Sequence, residues 1–174
     1  AEDWNGVGGR NTDLGQPVFA VAAGEVVFAD DCGQPSGGVV MIQHVYFENH
    51  ERHRVRSVYV HLGELKVEKG QIVRRGQQIG TIGKDPKGRF YAHLHFEMRL
   101  NEKISPTYWP SAAKKTVAWV RKNYLEPSAF IRAHRHLFVP GKEESLVLID
   151  SSSSRMLLIA SGHPARKFPV GFGR

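Results

Sequence analysis

Glycine punctuation is the feature that most restricts what this chain can fold into. Between Gly15 and Glu97, six short β-type runs are separated by turn residues: Pro17 to Ala22, Val26 to Ala29, Gly38 to Val45, Val55 to Leu62, Gln78 to Ile82 and Ala92 to Met98. Many short runs rich in β-branched and aromatic residues predict an antiparallel sheet or a barrel-like sandwich. From Val67 to Gly80, glycines at 70, 76 and 80 are spaced so that the backbone can reverse twice within a few residues, which predicts tight β-corners. Phe47 to Arg56, crowded with His, Glu, Arg and Asn, reads as a solvated hairpin loop.

The character changes after Pro106. Ser111 to Tyr124 puts Ala113, Val117, Val120 and Tyr124 on one helical face, with Ser111 as the N-cap and Pro127 as a stop. A second short helix is expected over Ser128 to His134. Val139 to Lys142 reads as linker, and Ser145 to Asp150 and Arg155 to Ala160 as two strands around a serine-rich turn. The fold expected is therefore mainly β: a small antiparallel sheet or sandwich with a C-terminal helical segment and a β-hairpin tail. Its expected divisions are a β domain over 1–110, a helical extension over 111–138, a linker over 139–144 and a partial β unit over 145–174.

Several classes of function fall away on composition. The 174 residues are 41% hydrophobic and 24% charged, enough for a core without covalent staples. Cys32 stands alone, so neither a disulfide framework nor a cysteine-rich zinc cluster is available, and no motif frames it as a nucleophile. No run of about 18 apolar residues occurs, so no membrane span is expected. The net charge of +7 favours polyanionic surroundings. The basic residues are scattered or paired, as in Arg74-Arg75 and Lys114-Lys115, without the aromatic interleaving of a single-strand groove, so no nucleic-acid partner is expected. A biotinyl- or lipoyl-type carrier would suit the Lys69-Gly70 corner, yet no lysine stands in an attachment motif.

Tyr91-Ala92-His93-Leu94-His95-Phe96-Glu97 carries the sharpest chemical signal. Residues two apart on a strand share a face, so His93 and His95 project together while Leu94 and Phe96 enter the opposite layer. Two adjacent imidazoles suit a metal site or a plain structural pair. His61, in Tyr59-Val60-His61-Leu62, is a third imidazole that an antiparallel neighbour would bring to the same face. Asp3 precedes a polar, glycine-rich run, and chemistry alone does not select it from other surface carboxylates. His44, Tyr59 and Tyr91 are candidates for framing or lining a groove, against the simpler reading that they pack. His50, His53, His134, His136 and His163 carry no motif.

Taken in order, Gly15 to Val26, Gly38 to His44, Tyr59 to Leu62, the glycine corners through Gly83, and His93 to Glu97 resemble successive blocks of the lysostaphin-like, LytM-type zinc endopeptidases, over roughly residues 1–110. The resemblance implies the LytM fold, a small and mostly antiparallel β structure built on a duplicated hybrid motif, with a groove floored by the sheet. It implies cleavage of peptide cross-links or stems in bacterial peptidoglycan, with zinc as cofactor and a periplasmic, cell-surface or secreted location. Carried over by position, Asp3 and His95 are metal ligands, and His61 and His93 are the catalytic histidines that do not ligate. The family's first zinc histidine stands four residues before the aspartate, a place that falls just ahead of Ala1, so the ligand set is incomplete. The expectation is that the sequence is cut there. A non-catalytic LytM-type module that binds wall material or activates another hydrolase is the alternative. Lys84 to Phe90 departs from the family's usual small-residue approach to the histidine pair. The tail, Ser145 to Asp150, the turn Ser151 to Ser154, Met156 to Ile159 and Phe168 to Arg174, more weakly resembles the opening strands of a YkuD-type L,D-transpeptidase.

Overall fold

The structure of the chain, a computed structural model, describes residues 1–48, 51–134, 145–150, 155–160 and 166–169. The expected linker at 139–144, the serine turn at 151–154, His50, His136, His163 and the last residues, 170–174, lie outside the described residues. Nine strands form one antiparallel sheet: β1 (Glu2–Trp4), β2 (Pro17–Phe19), β3 (Gly24–Asp31), β4 (Gly38–Glu48), β5 (Glu51–Leu65), β6 (Ile72–Val73), β7 (Gln78–Ile82), β8 (Leu94–Arg99) and β9 (Tyr124–Leu125). Its main path runs β1-β8-β5-β4-β3-β6, β7 joins β5 to β2, and β9 pairs with β8. The mainly β expectation thus holds, and the family's glycine corners form as read. Gly70 and Gly76 adopt φ of +90° and +73°, and their N–H groups donate to the carbonyls of Val26 and Ala20.

Four expectations change. Residues 47–48 and 51–56 are strand rather than loop, because β4 and β5 pair in register from Gln43↔Arg56 out to Glu48↔Glu51. Their polar residues lie on strands whose alternate positions are buried, Tyr46 at 6% and Val55 at 1% exposure. The first helix also starts later. It is α1 (Val117–Asn123), capped by Thr116, whose Oγ1 accepts the Trp119 N–H at 3.2 Å. Lys114 at φ +49° interrupts any helix begun at Ser111. Pro127 is not a stop but the first residue of α2 (Pro127–His134), where its missing N–H has no intrahelical partner to lose. A separate antiparallel sheet joins β10 (Ser145–Asp150), β11 (Arg155–Ala160) and β12 (Arg166–Pro169), one strand more than the expected hairpin.

The sheet buries apolar residues on both faces. Val18, Val26, Tyr59, Ile79, Leu94, Phe96 and Met98 belong to the larger cluster, which α2 joins through Phe130. Val39, Met41, Val58 and Val60 form a smaller one on the other face, against Trp109. Strand alternation assigns residues to the two, since Tyr59 opposes Phe96 while Val60 opposes His95. The smaller cluster floors the site.

Candidate active site

Strand β8 presents His95, Glu97 and Arg99 on the face of the smaller cluster. β1 lies along its edge with Asp3 opposite His95, so two residues 92 positions apart meet through one strand pairing. Asp3 Oδ1 stands 2.7 Å from His95 Nδ1. The other ring nitrogen, Nε2, is 2.9 Å from Glu97 Oε1, and Glu97 Oε2 accepts from Arg99 Nε at 2.6 Å. Arg99 is anchored in turn by donating to the Ser105 carbonyl at 2.8 Å. Glu97 and Arg99 are 2% and 1% exposed, so this is a buried, charge-assisted row. Burial pushes the Glu97 carboxyl up, but the His95 hydrogen bond and the Arg99 guanidinium outweigh it, and the net shift is down. Burial likewise depresses His95, while the hydrogen bonds and charges of Glu97 and Asp3 carry it above its ordinary value.

His61 reaches the same place by a strained route. Its neighbour Val60 faces the His95 side, so alternation would send His61 to the opposite face. A left-handed φ of +65° returns it. Its ring lies 4.8 Å from His93 and 6.0 Å from His95, centroid to centroid. Gly83 secures this backbone: its N–H donates to the His61 carbonyl at 2.8 Å, an approach where a Cβ would stand 2.8 Å from that same oxygen. His61 Nδ1 faces the Ser36 carbonyl at 3.1 Å, and His93 Nδ1 faces the Tyr91 carbonyl at 2.8 Å. A carbonyl only accepts, so each Nδ1 carries a proton, and the neutral form of each ring has its lone pair on Nε2. Burial, then the neighbouring His93 and His95, pushes His61 down to about 4. His61 is therefore a neutral imidazole at pH 7.

Three of the four principal site residues thus meet as imidazoles around the Asp3 carboxylate, with His93 Nε2 3.8 Å from Asp3 Oδ1. His44 and Tyr59 do not join them. His44 is fully buried between the Ala23 carbonyl, 2.8 Å from Nδ1, and the Ser57 hydroxyl, 2.7 Å from Nε2. Burial takes its pKa down to about 4. Tyr59 accepts the Val21 N–H at 2.8 Å, and burial lifts its phenol to about 12. Both border an apolar cavity of about 570 Å³ together with Leu94 and Phe96, on the face away from the histidines. Tyr91 is exposed and serves the site through its main-chain carbonyl.

Two aromatic residues without a role in the sequence reading wall the cluster. Trp109 stacks on His61 at 6.0 Å and meets His95 edge-on at 4.9 Å, and Phe90 lies 4.6 Å from His61. They arrive from irregular segments, where no periodicity marks them. Glu97 and Arg99 also have no role in the sequence reading, although the alternation that pairs His93 with His95 continues through 97 and 99 and is the signal that points to them. A polar recess of about 180 Å³ opens beside His61, between Gln34 to Gly38 and Gly83 to Phe90. Its rim is stiffened by Arg89, which donates to both oxygens of the buried Asp85 carboxylate at 2.8 and 2.9 Å.

The donor chemistry fits a divalent cation as far as it goes. Both His95 ring nitrogens donate to carboxylates, Nε2–H to Glu97 and Nδ1–H to Asp3 Oδ1; a cation that displaced the Nδ1 proton would meet one nitrogen and one oxygen of the kind zinc accepts. Among the described residues, no group of three His, Cys, Asp or Glu side chains is arranged to hold a metal.

Residues 3–106, more than half of the chain, match the model of Peptidase family M23. The chain belongs to Peptidase family M23. Lipoprotein NlpD of Yersinia enterocolitica is 35% identical over 89 residues, which are 51% of this chain and 82% of that protein. Murein hydrolase activator NlpD of Escherichia coli K12 is 33% identical over 51% of this chain and 21% of its own length. Peptidoglycan DD-endopeptidase ShyB of Vibrio cholerae is 32% identical over 53% and 20%. The chain thus spans about a fifth of the last two relatives. Family M23 membership bears out the LytM-type resemblance read from the five sequence blocks.

Proposed function

We propose that this M23 chain is a zinc-dependent endopeptidase acting on the peptides of bacterial peptidoglycan, in the cell envelope. The observation that carries the reading is the convergence of Asp3 Oδ1 and His95 Nδ1 at 2.7 Å with His61 and His93 beside them. Asp3 and His95 would hold the zinc, which when bound polarises a peptide carbonyl and acidifies water. Glu97 fixes the His95 tautomer by accepting its Nε2–H. The Nε2 lone pairs of His61 and His93 suit one histidine to take the water proton, and the other, once protonated, to donate toward the developing oxyanion. Trp109 and Phe90 wall the histidines and limit water access. Peptidoglycan as substrate is supported by what the printed names say of the E. coli and V. cholerae relatives, and the +7 charge suits an anionic wall. The sheet of β10–β12 is read as the start of a second wall-acting domain, on the tail's resemblance to an L,D-transpeptidase.

A second reading, in which the module binds wall material or activates another hydrolase without cutting, is supported by what the printed name says of the E. coli relative. One experiment separates the two. Zinc content and release of soluble peptidoglycan fragments are measured for this chain, for the chain with a His-x pair added ahead of Ala1, and for His95→Ala of each. The peptidase reading expects both quantities to rise with the added histidine and to vanish with His95→Ala. An extended protein that binds wall material, holds no zinc and releases nothing establishes the non-catalytic module.

A further inference from the structure

Asp3 reaches the site on a strand of only three residues, held by a single neighbour. Among the described residues β1 pairs only with β8, at Glu2↔Phe96, Asp3↔His95 and Trp4↔Leu94. So short an edge strand is marginal by itself. The other edge of β8 is taken by β5. Further along the edge that β1 uses, β9 pairs at Met98↔Leu125 and Arg99↔Tyr124. β1 and β9 therefore lie end to end, and the chain leaving β9 enters α2 beside Glu2. There the Glu2 carboxylate accepts the Ser128 N–H at 2.9 Å on Oε1 and the Ser128 hydroxyl at 2.6 Å on Oε2. The Trp4 indole N–H also donates to Oε2, at 2.7 Å, and the Trp4 ring packs on Phe96 at 4.8 Å. α2 itself is fixed to the sheet by Phe130, buried in the larger cluster.

We infer that β9 and α2, which lie outside the residues 3–106 matched to the family, clamp β1 through the Glu2–Ser128 contact and so position the Asp3 carboxylate against His95. Ser128 and Glu2 are positioning residues: neither touches the site, and both act through the docking of β1. The part of the inference that concerns metal rests on the zinc reading above. If only docked β1 offers Asp3 as a ligand, the apparent zinc dissociation constant rises in proportion as the docked fraction falls. The helical segment is then an integral part of the peptidase unit rather than an appendage to it.

The test uses the full chain with Ser128→Ala, Ser128→Thr and Glu2→Ala. Amide hydrogen exchange is followed over residues 1–6 and, as an internal control, over β5, and zinc affinity is measured by titration. Ser128→Ala is expected to speed β1 exchange about tenfold, the loss of one hydrogen bond to a charged acceptor. Glu2→Ala, which removes both bonds from Ser128 and the one from the Trp4 indole, is expected to speed it further. β5 exchange stays unchanged, Ser128→Thr restores β1 protection, and zinc binding weakens in the order of β1 loosening. A general loss of stability would instead move β5 together with β1, and that result overturns the clamp. Unchanged β1 exchange in both Ser128→Ala and Glu2→Ala overturns it equally. Loosened β1 in a protein that takes up no zinc even with the His-x pair added ahead of Ala1 supports the clamp and refutes the metal reading.

Discussion

Leu94, Phe96 and Met98 on one face of β8 are as deeply buried as His95, Glu97 and Arg99 on the other, yet the two rows are held together by opposite means. The apolar row gains from leaving water and tolerates any neighbour of suitable shape. The polar row loses hydration and recovers it only through a closed sequence of partners: Asp3, His95, Glu97, Arg99 and the Ser105 carbonyl. A single strand can therefore be a hydrophobic wall and a preorganised ligand holder, provided that every buried charge on the second face meets its complement. The lesson is one of cost: the polar row restricts each member's neighbours far more tightly than the apolar row does.

Substitutions can break that comparison. Glu97→Ala leaves Arg99 buried without its carboxylate, so a loss of roughly 3–5 kcal/mol is expected in urea unfolding. The double variant Glu97→Leu with Arg99→Met should recover much of that stability while zinc retention stays low, because His95 has lost its Nε2 acceptor. A double variant as unstable as Glu97→Ala would show that the polar row cannot be exchanged for an apolar one. On the other face, Phe96→Ala should cost a comparable ~3–5 kcal/mol by leaving a cavity. Any loss of zinc binding there should follow stability rather than exceed it.

A smaller effect comes from pH. His44 has a folded-state pKa of about 4 against 6.5 unfolded, so the unfolded chain binds the extra proton between those values. Stability should fall as pH drops through that window, by up to about 1.4 kcal/mol per pH unit from this group. His44→Gln should flatten that slope in thermal melts between pH 4 and 6.5. If the slope is unchanged, His44 is not buried in its neutral form. The smallest stability change is expected for His61→Asn, within about 1 kcal/mol because Asn tolerates left-handed backbone. Peptidoglycan release by the zinc-loaded extended protein should nevertheless be lost.

The same contrast explains what could be read from sequence. Period-two alternation and glycine corners give the sheet, and they give the His93 and His95 pair, because both are local properties of the backbone. Residues 47–48 and 51–56 read as loop in the sequence because their composition reports the solvent-facing half of two paired strands, while Tyr46 and Val55 report the buried half. The helix start moved to Thr116 because a left-handed Lys114 depends on tertiary context. Asp3 could be placed only by resemblance: a carboxylate near a terminus has no pattern of its own, and its partner is 92 residues away. Trp109 and Phe90 come from irregular segments, whose direction no local rule fixes.

The backbone twist at His61 narrows what evolution can try there. Glycine, asparagine or aspartate would ease the local conformation, yet none offers a nitrogen base that is neutral near pH 7. Most other residues would inherit the strain and contribute no proton chemistry. A lineage that gives up cleavage should thus drift first at this position, making its occupant a cheap indicator of whether such a groove still works.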